Sequence, residues 1–265
     1  MKRFEGRNAI VTGATSGIGE SIARRLASEG ATVAIVGRRP KKGVEVARSI
    51  LAQGGKAFYV SADMRDSKSV ADMFRTCMDR FGACVSILVN NAGISKGNAT
   101  MEYVNEDDWD DVMDTNAKGT FLCSKAAIPW MIKNGGGSIV NLSSGGGLRA
   151  YIGGTAYSAS KAAVIMLTKV LAIEHGNEKI RVNCICPGSI HSEMFDGGIK
   201  NFEKKMAAEG KTGFSSIQIA ENIARQIPLG RIGEPEVANL ALFLSSTEAS
   251  FISGSVIVID GGMCL

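Results

Sequence analysis

The sequence predicts one doubly wound α/β domain, a seven-stranded parallel sheet with helices on both faces. Three observations carry this reading. Seven short runs rich in apolar and β-branched residues recur along the chain, and longer stretches with helical periodicity separate them. Strand alternating with helix means βαβ units and parallel strands. Nearly all seven runs are apolar throughout instead of alternating, as expected when helices cover both faces of a sheet. At 265 residues the chain can bury a sizeable core. No Pro-rich or Ser-rich linker divides it and no repeat of solenoid period is present, so the domain is expected to span 1–265.

Taken in order, "NAIV" at 8–11 opens the sheet and a helix follows from Gly17 to Glu29. "TVAIVG" at 32–37 precedes a helix from Lys41 to Gln53, and "AFYV" at 57–60 precedes one from Ser67 to Phe81. "SILVN" at 86–90 leads to a helix from Ala117 to Lys133, and "SIVNLS" at 138–143 to one from Thr155 to His175. "IRVNCIC" at 180–186 and "SVIVID" at 255–260 complete the strands. Between "CPG" at 186–188 and "RIGEPEVA" at 231–238 the alternation breaks. Gly197, Gly198, Gly210 and Gly213 punctuate that segment, and Phe195, Ile199, Phe202 and Met206 recur at spacings of 4, 3 and 4. This is the pattern of an amphipathic piece on flexible joints, expected to form a substrate-binding lid over 189–230 above the ligand-binding edge of the sheet.

Composition excludes several classes. The net charge of +4 is spread along the chain, and the basic spots "GRRPKK" and "KNFEKK" are short, so no nucleic-acid footprint is present. The N-terminal "MKRFEGRNAIV" reaches Glu5 and Gly6 before an apolar run develops, and neither a signal peptide nor a membrane partner is expected. The six cysteines (Cys77, Cys84, Cys123, Cys184, Cys186, Cys264) form no C-x-x-C pair. They read as reduced, mostly buried residues of a cytoplasmic protein, Cys184 and Cys186 as strand packing. His175 and His191 have no ligand spacing, and no metal is expected.

The first strand runs through "TGATSGIG" at 12–19 straight into a helix. A glycine-rich turn there brings free backbone N–H groups and the positive helix end to one place, a seat for a pyrophosphate. The spacing is G-x-x-x-G-x-G and no Lys-Ser/Thr follows, so a P-loop is excluded. Position after the first strand of a doubly wound sheet favours a dinucleotide. Further on, "YSASK" places Tyr157 and Lys161 four residues apart, on one helix face, where their polar tips can converge.

With "ADM" at 62–64, "NNAG" at 90–93, Asn116 in "TNAKG", "SS" at 143–144, "PG" at 187–188 and "DGG" at 260–262, these motifs make the whole chain resemble a short-chain dehydrogenase/reductase of the main, roughly 250-residue type, a Rossmann fold. The resemblance implies catalytic roles for Asn116, Ser144, Tyr157 and Lys161. Ser144 is selected over Ser143 because the family serine lies thirteen residues before the tyrosine. Tyr157 would move the proton, Lys161 lower the tyrosine pKa and hold the nicotinamide ribose, Ser144 orient the substrate oxygen, and Asn116 anchor a relay water. The resemblance also implies that Gly13, Ser16, Gly17, Ile18 and Gly19 line the pyrophosphate and that Asp63 and Met64 meet the adenine. Asn90, Ala92 and Gly93 would pass beneath the cofactor, Asn90 with a purely structural alternative as a pairing between strands. Pro187, Gly188 and Ile190 would meet the nicotinamide end, and Ser192 replaces the family's usual Thr. The family is usually tetrameric, and a homotetramer is expected on that ground.

Cofactor choice turns on the end of the second strand. An acid about twenty residues beyond the glycine turn binds the ribose 2′-hydroxyl and repels a 2′-phosphate. Gly37 stands there instead, followed by Arg38 and Arg39, with Pro40 placed to open the next helix. A guanidinium beside a small residue suits a phosphate, and the resemblance implies a basic residue at this position in NADP(H)-preferring members, so NADP(H) is expected, Arg38 as main contact and Arg39 as its lesser partner. The expected reaction interconverts a secondary alcohol and a ketone on a lipophilic or cyclic small molecule such as a hydroxysteroid. The alternatives are a 3-oxoacyl-thioester reductase, a sugar or polyol dehydrogenase, and a cofactor-sensing regulator without catalysis.

Overall fold

The computed structural model describes residues 2–264 apart from 98, 209, 212, 213 and 235, and apart from the side chain of Lys205. Its sheet has seven parallel strands: β1 (Asn8–Thr12), β2 (Thr32–Gly37), β3 (Lys56–Ser61), β4 (Ile87–Asn90), β5 (Gly137–Leu142), β6 (Ile180–Pro187) and β7 (Val256–Ile259). They lie in the order β3-β2-β1-β4-β5-β6-β7. The direction of winding reverses between β1 and β4, which pair Ala9 with Ile87 and Val11 with Val89. In such sheets the crevice outside the carboxyl ends of the strands flanking the reversal is where ligands bind.

The apolar runs form this sheet because each of its faces meets its own layer of helices. Along β1 successive side chains point to opposite faces. Ala9 and Val11 pack with α1 (Gly17–Ser28), α2 (Pro40–Ala52) and α9 (Val237–Ser245). Ile10 packs on the other side with α3 (Ser67–Phe81) and α5 (Gly119–Lys133). Helix α6 (Thr155–Glu174) lies over β6, and Cys184 and Cys186 are buried with Val164 and Ile165 beneath it. Helix boundaries follow local chemistry. Pro40 opens α2, Asp66 caps α3 by accepting from the Lys68 and Ser69 N–H groups, and α3 ends where Gly82 turns left-handed at φ 66°.

Three helices lie outside the periodic pattern. Helix α4 (Glu106–Met113) is acidic and buries only Val112, so it has almost no apolar stripe. Helix α9 is apolar all round and packs between α1 and the sheet, which erases the contrast that periodicity needs. Helix α8 (Ser216–Gln226) starts at a capping box of Ser215 and Gln218. The expected lid contains α7 (Glu193–Ala208), packed on α8 with Phe202 against Phe214 at 5.9 Å. Gly197 and Gly198 are not joints: they sit inside α7 with open space where side chains would be. Gly210 is a left-handed turn at φ 70°, and Gly213 lies outside the described residues. Ile199 and Met206 are buried, whereas Phe202 is half exposed. Helix α6 has the length and apolarity of a membrane span, yet it packs on β6 and keeps Lys161 buried.

Candidate active site

The glycine turn is built on the neighbouring strand's loop. Thr12, last residue of β1, accepts the N–H groups of Asn91 and Ala92 on its hydroxyl at 3.1 Å each, and the Asn91 amide donates to the Thr12 and Gly13 carbonyls at 3.0 and 3.2 Å. A methyl group on Gly13 would stand 2.8 Å from Ala92 Cα, and one on Gly19 would stand 2.3 Å from Asn91 Nδ2. Gly13 and Gly17 are also left-handed, at φ 65° and 59°. "TGATSGIG" and "NNAG" are therefore one structural unit. Ser16 is the N-cap of α1, and its side chain makes no cap hydrogen bond. The helix thus presents unsatisfied N–H groups and its positive end at the crevice, which fits a dinucleotide pyrophosphate. Ile18 packs against the core beside it.

At the adenosine end, Asp63 is bound by Arg65 through Nε and NH2, and Arg38 lies 3.7 Å from the same carboxylate. These partners, Arg65 first, hold the Asp63 carboxyl below its usual range. Met64 turns into the core, its sulfur 3.4 Å from Cys123 Sγ, so the expected adenine contact narrows to its backbone. Arg39 diverges from Arg38. Its guanidinium donates to Thr15 Oγ1 and Ser16 Oγ and pairs with Glu193, which Lys42 also binds. Gly37 has a steric reason of its own, since a methyl group there would meet Thr15 Cγ2 at 2.8 Å.

Asn90 is spent inside the sheet. Its amide donates to Asn141 Oδ1 at 2.8 Å and Ser124 Oγ at 3.1 Å, and Asn141 donates on to Thr168. The side chain pairs β4 with β5, so its expected place beneath the cofactor narrows to its backbone. Gly93 is different. A methyl group there would stand 3.2 Å from Lys161 Nζ and 3.3 Å from Asn116 Oδ1, which shows how closely these residues gather around that loop. Asn116 lies in a π-turn (Asp114–Lys118) between α4 and α5. It accepts from the Ile94 N–H and donates to the Ile94 carbonyl and to Ser160 Oγ.

Ser144 and Ser143 part company at the end of β5. Ser143 donates to the Lys161 carbonyl and is buried as a structural hydroxyl. Ser144 accepts the Gly146 N–H at 3.1 Å and hydrogen-bonds to Tyr157. Lys161 is buried, with Nζ donating to the Leu142 carbonyl at 2.8 Å and lying 5.7 Å from the centroid of the Tyr157 ring. Burial lowers its pKa to about 8. The Tyr157 phenol is raised, because desolvation outweighs the hydrogen bond from Ser144. Lys161 is not among the groups that shift the phenol, so the expectation that it draws that value down is not met here.

Pro187 and Gly188 carry the chain off β6 beside Asp260, where a methyl group on Gly188 would meet Asp260 Cβ at 2.6 Å. Ile190 is buried and bridged to Gly233. Ser192 lies against Gly17, and its hydroxyl accepts the Phe195 N–H, so it caps α7. Sequence reasoning missed Thr12, Asn91 and Ser160, which sit inside or beside quoted motifs, and Tyr151, whose ring lies 2.9 Å from the methyl position of Gly146. It also missed Lys42 and Glu193, for which no local signal exists.

This crevice and its cluster of hydroxyl, phenol and amine define the class as a dinucleotide-binding oxidoreductase of the doubly wound type. A family model described as short chain dehydrogenase matches residues 7–201. The chain is 39% identical over 97% of its length to the 3-oxoacyl-(acyl-carrier-protein) reductase FabG of Staphylococcus aureus, covering 98% of that protein. It is 35% identical to a 3beta-hydroxysteroid dehydrogenase of Mediterraneibacter gnavus, over 99% of this chain and 96% of the relative. The crystal structure of levodione reductase superposes with a TM-score of 0.91 at 32% identity, over 99% of each chain. The protein belongs to the short-chain dehydrogenase/reductase family, oxidoreductases that use nicotinamide cofactors.

Proposed function

We propose that the protein is an NADP(H)-dependent oxidoreductase that interconverts a secondary alcohol and a ketone on a lipophilic or cyclic small molecule such as a hydroxysteroid. The observation that carries the reaction type is the Ser144–Tyr157–Lys161 cluster at the carboxyl edge of the sheet, beside the glycine turn. When bound, the nicotinamide supplies or takes the hydride. Ser144 has one lone pair engaged by the Gly146 N–H, which leaves its O–H to be shared between Tyr157 and the substrate oxygen. Tyr157 is held protonated at neutral pH by its burial, ready to donate to a developing alkoxide and, as phenolate, to accept an alcohol proton. Lys161 and Asn116 meet around Gly93, where Lys161 can hold the ribose hydroxyls and Asn116 a relay water.

The substrate class is supported by the Tyr151 ring, packed against Gly146 next to Ser144 and Tyr157, and by the helices α7 and α8 beyond β6. The hydroxysteroid dehydrogenase among the relatives agrees with it. A second reading, a 3-oxoacyl-thioester reductase, is supported by the 39% identity to such an enzyme. Initial rates with NADPH on steroid ketones, monocyclic ketones and an acetoacetyl thioester decide between them. A kcat/KM for the thioester above that for every cyclic ketone sinks the first reading, and no turnover of any carbonyl sinks both in favour of a cofactor sensor.

The proposal extends to a cytoplasmic homotetramer. All six cysteines are free, in keeping with a reducing compartment. Met166, Val170 and Ile173 on α6 and Phe121 and Ile132 on α5 leave an apolar face exposed, of the kind that marks an interface.

A further inference from the structure

The chain leaving β6 crosses the crevice. In the sheet β6 stands four places from β2, roughly 19 Å at the usual strand spacing, with β5, β4 and β1 between. Yet Glu193, the first residue of α7, reaches the residues that follow β2. Its Oε2 accepts from Arg39 NH1 at 2.6 Å, and its Oε1 accepts from Lys42 Nζ at 2.5 Å. Its neighbour Ser192 rests on the glycine turn, with Cβ 3.3 Å from the methyl position of Gly17. The start of α7 therefore lies over the groove expected to take the adenosine and pyrophosphate.

The seat that Glu193 occupies is prearranged. Arg39 is anchored by hydrogen bonds from Nε and NH2 to Thr15 Oγ1 at 3.1 and 2.8 Å and from NH2 to Ser16 Oγ at 2.6 Å. Lys42 stands in the first turn of α2, a turn that contains no acid and adds the positive end of its helix. Two cations thus face one carboxylate, and the seat retains an excess of one positive charge. A phosphate monoester, with nearly two negative charges and three acceptor oxygens, matches it better than the carboxylate does.

The geometry points to Glu193 as the residue that sets cofactor selectivity, an internal stand-in for the 2′-phosphate that the phosphate must displace from Arg39 and Lys42. This rests on the NADP(H) reading and moves its weight from Arg38, which is turned toward Asp63, to Arg39 and Lys42. A cofactor without the phosphate leaves Glu193 in its seat and α7 pinned over the groove. A cofactor with it takes both cations and releases the first turn of α7, so phosphate recognition and release of the helix are one event.

Adenosine 2′,5′-bisphosphate and 5′-AMP differ only in the 2′-phosphate and serve as probes. Isothermal titration of Glu193→Gln should show about tenfold tighter binding of the bisphosphate, as expected when one ionic competitor is removed, with 5′-AMP within about twofold of the parent. Lys42→Met should weaken the bisphosphate alone. Hydrogen exchange at amides 193–197 should speed up in the parent on adding the bisphosphate but not 5′-AMP, and should already be fast in Glu193→Gln. A parent that prefers the bisphosphate, with Glu193→Gln unchanged in affinity and exchange, overturns the role of Glu193 and leaves the NADP(H) reading standing. No preference in either protein overturns both. A preference that emerges only in Glu193→Gln supports the masking role of Glu193 and overturns the NADP(H) reading for the parent.

Discussion

The ammonium of Lys161 lies over the Tyr157 ring, 5.7 Å from its centroid, and donates to the Leu142 carbonyl at 2.8 Å. Lys161 is buried and Tyr157 partly so, and the consequences for pH are opposite in kind: desolvation pushes the phenol up and the amine down to about 8. Each shift disfavours the charged form, as desolvation requires.

For Tyr157 this means a protonated phenol throughout the neutral range. Ketone reduction should be nearly flat between pH 6 and 8 in single-turnover measurements, whereas alcohol oxidation should climb by up to about tenfold per pH unit. Tyr157→Phe should lower turnover by roughly two to four orders of magnitude while cofactor affinity stays nearly intact. Turnover within tenfold of the parent would remove Tyr157 from the chemistry.

For Lys161 the shift is a statement about stability. Its folded pKa lies below the unfolded value of 10.5, so the unfolded chain binds more protons between pH 8 and 10.5 and stability rises with pH across that window. The stabilising contribution is complete above 10.5 and is lost as the pH falls through 8. Lys161→Met, which removes the buried charge, should stabilise the cofactor-free protein at pH 7 by on the order of 2 kcal/mol, read as a higher Tm, and the gain should shrink toward pH 10. A lower Tm for the variant at pH 7 would contradict this, and the same variant should lose cofactor affinity.

Gly93→Ala tests the crowding of the loop. The new methyl group would stand 3.2 Å from Lys161 Nζ and 3.3 Å from Asn116 Oδ1, both buried side chains with little room to withdraw. A displaced ammonium should cost about tenfold to a hundredfold in kcat/KM while leaving the fold intact by circular dichroism. An unchanged kcat/KM would show that neither side chain needs its place.

Gly37→Asp with Arg38→Leu leaves Arg39 and Lys42 in place and is expected to move preference from NADP(H) toward NAD(H) through the carboxylate introduced at 37, which repels a 2′-phosphate and accepts from a 2′-hydroxyl, read as the ratio of kcat/KM values. The structure adds a complication, because any Cβ at 37 presses on the Thr15 methyl, and Thr15 anchors Arg39. The double variant should lose about 1–3 kcal/mol of stability, and Thr15→Ser in the same background should recover part of it. A parent that uses NAD(H) as well as NADP(H) ends the assignment.

What the sequence determined by itself was whatever short-range chemistry encodes. All seven strands lie where the apolar runs placed them, because a strand covered on both faces must be apolar at every position, and that can be read without knowing its neighbours. The glycine turn and the Tyr157–Lys161 pair were legible for the same reason, since each is set by spacing within one turn or one helix. Only the tertiary structure decided which polar side chains face the crevice. Nothing local separates Asn90, absorbed into a pair with Asn141, from Asn116, gathered beside Lys161. Nor could spacing place Glu193 on Arg39 and Lys42, about 150 residues earlier in the chain. That contact exists because every strand pair is parallel, so the carboxyl ends of β2 and β6 share one edge of the sheet, and the chain leaving β6 runs back across that edge; such a crossing is a property of the whole packed sheet, not of any segment in it.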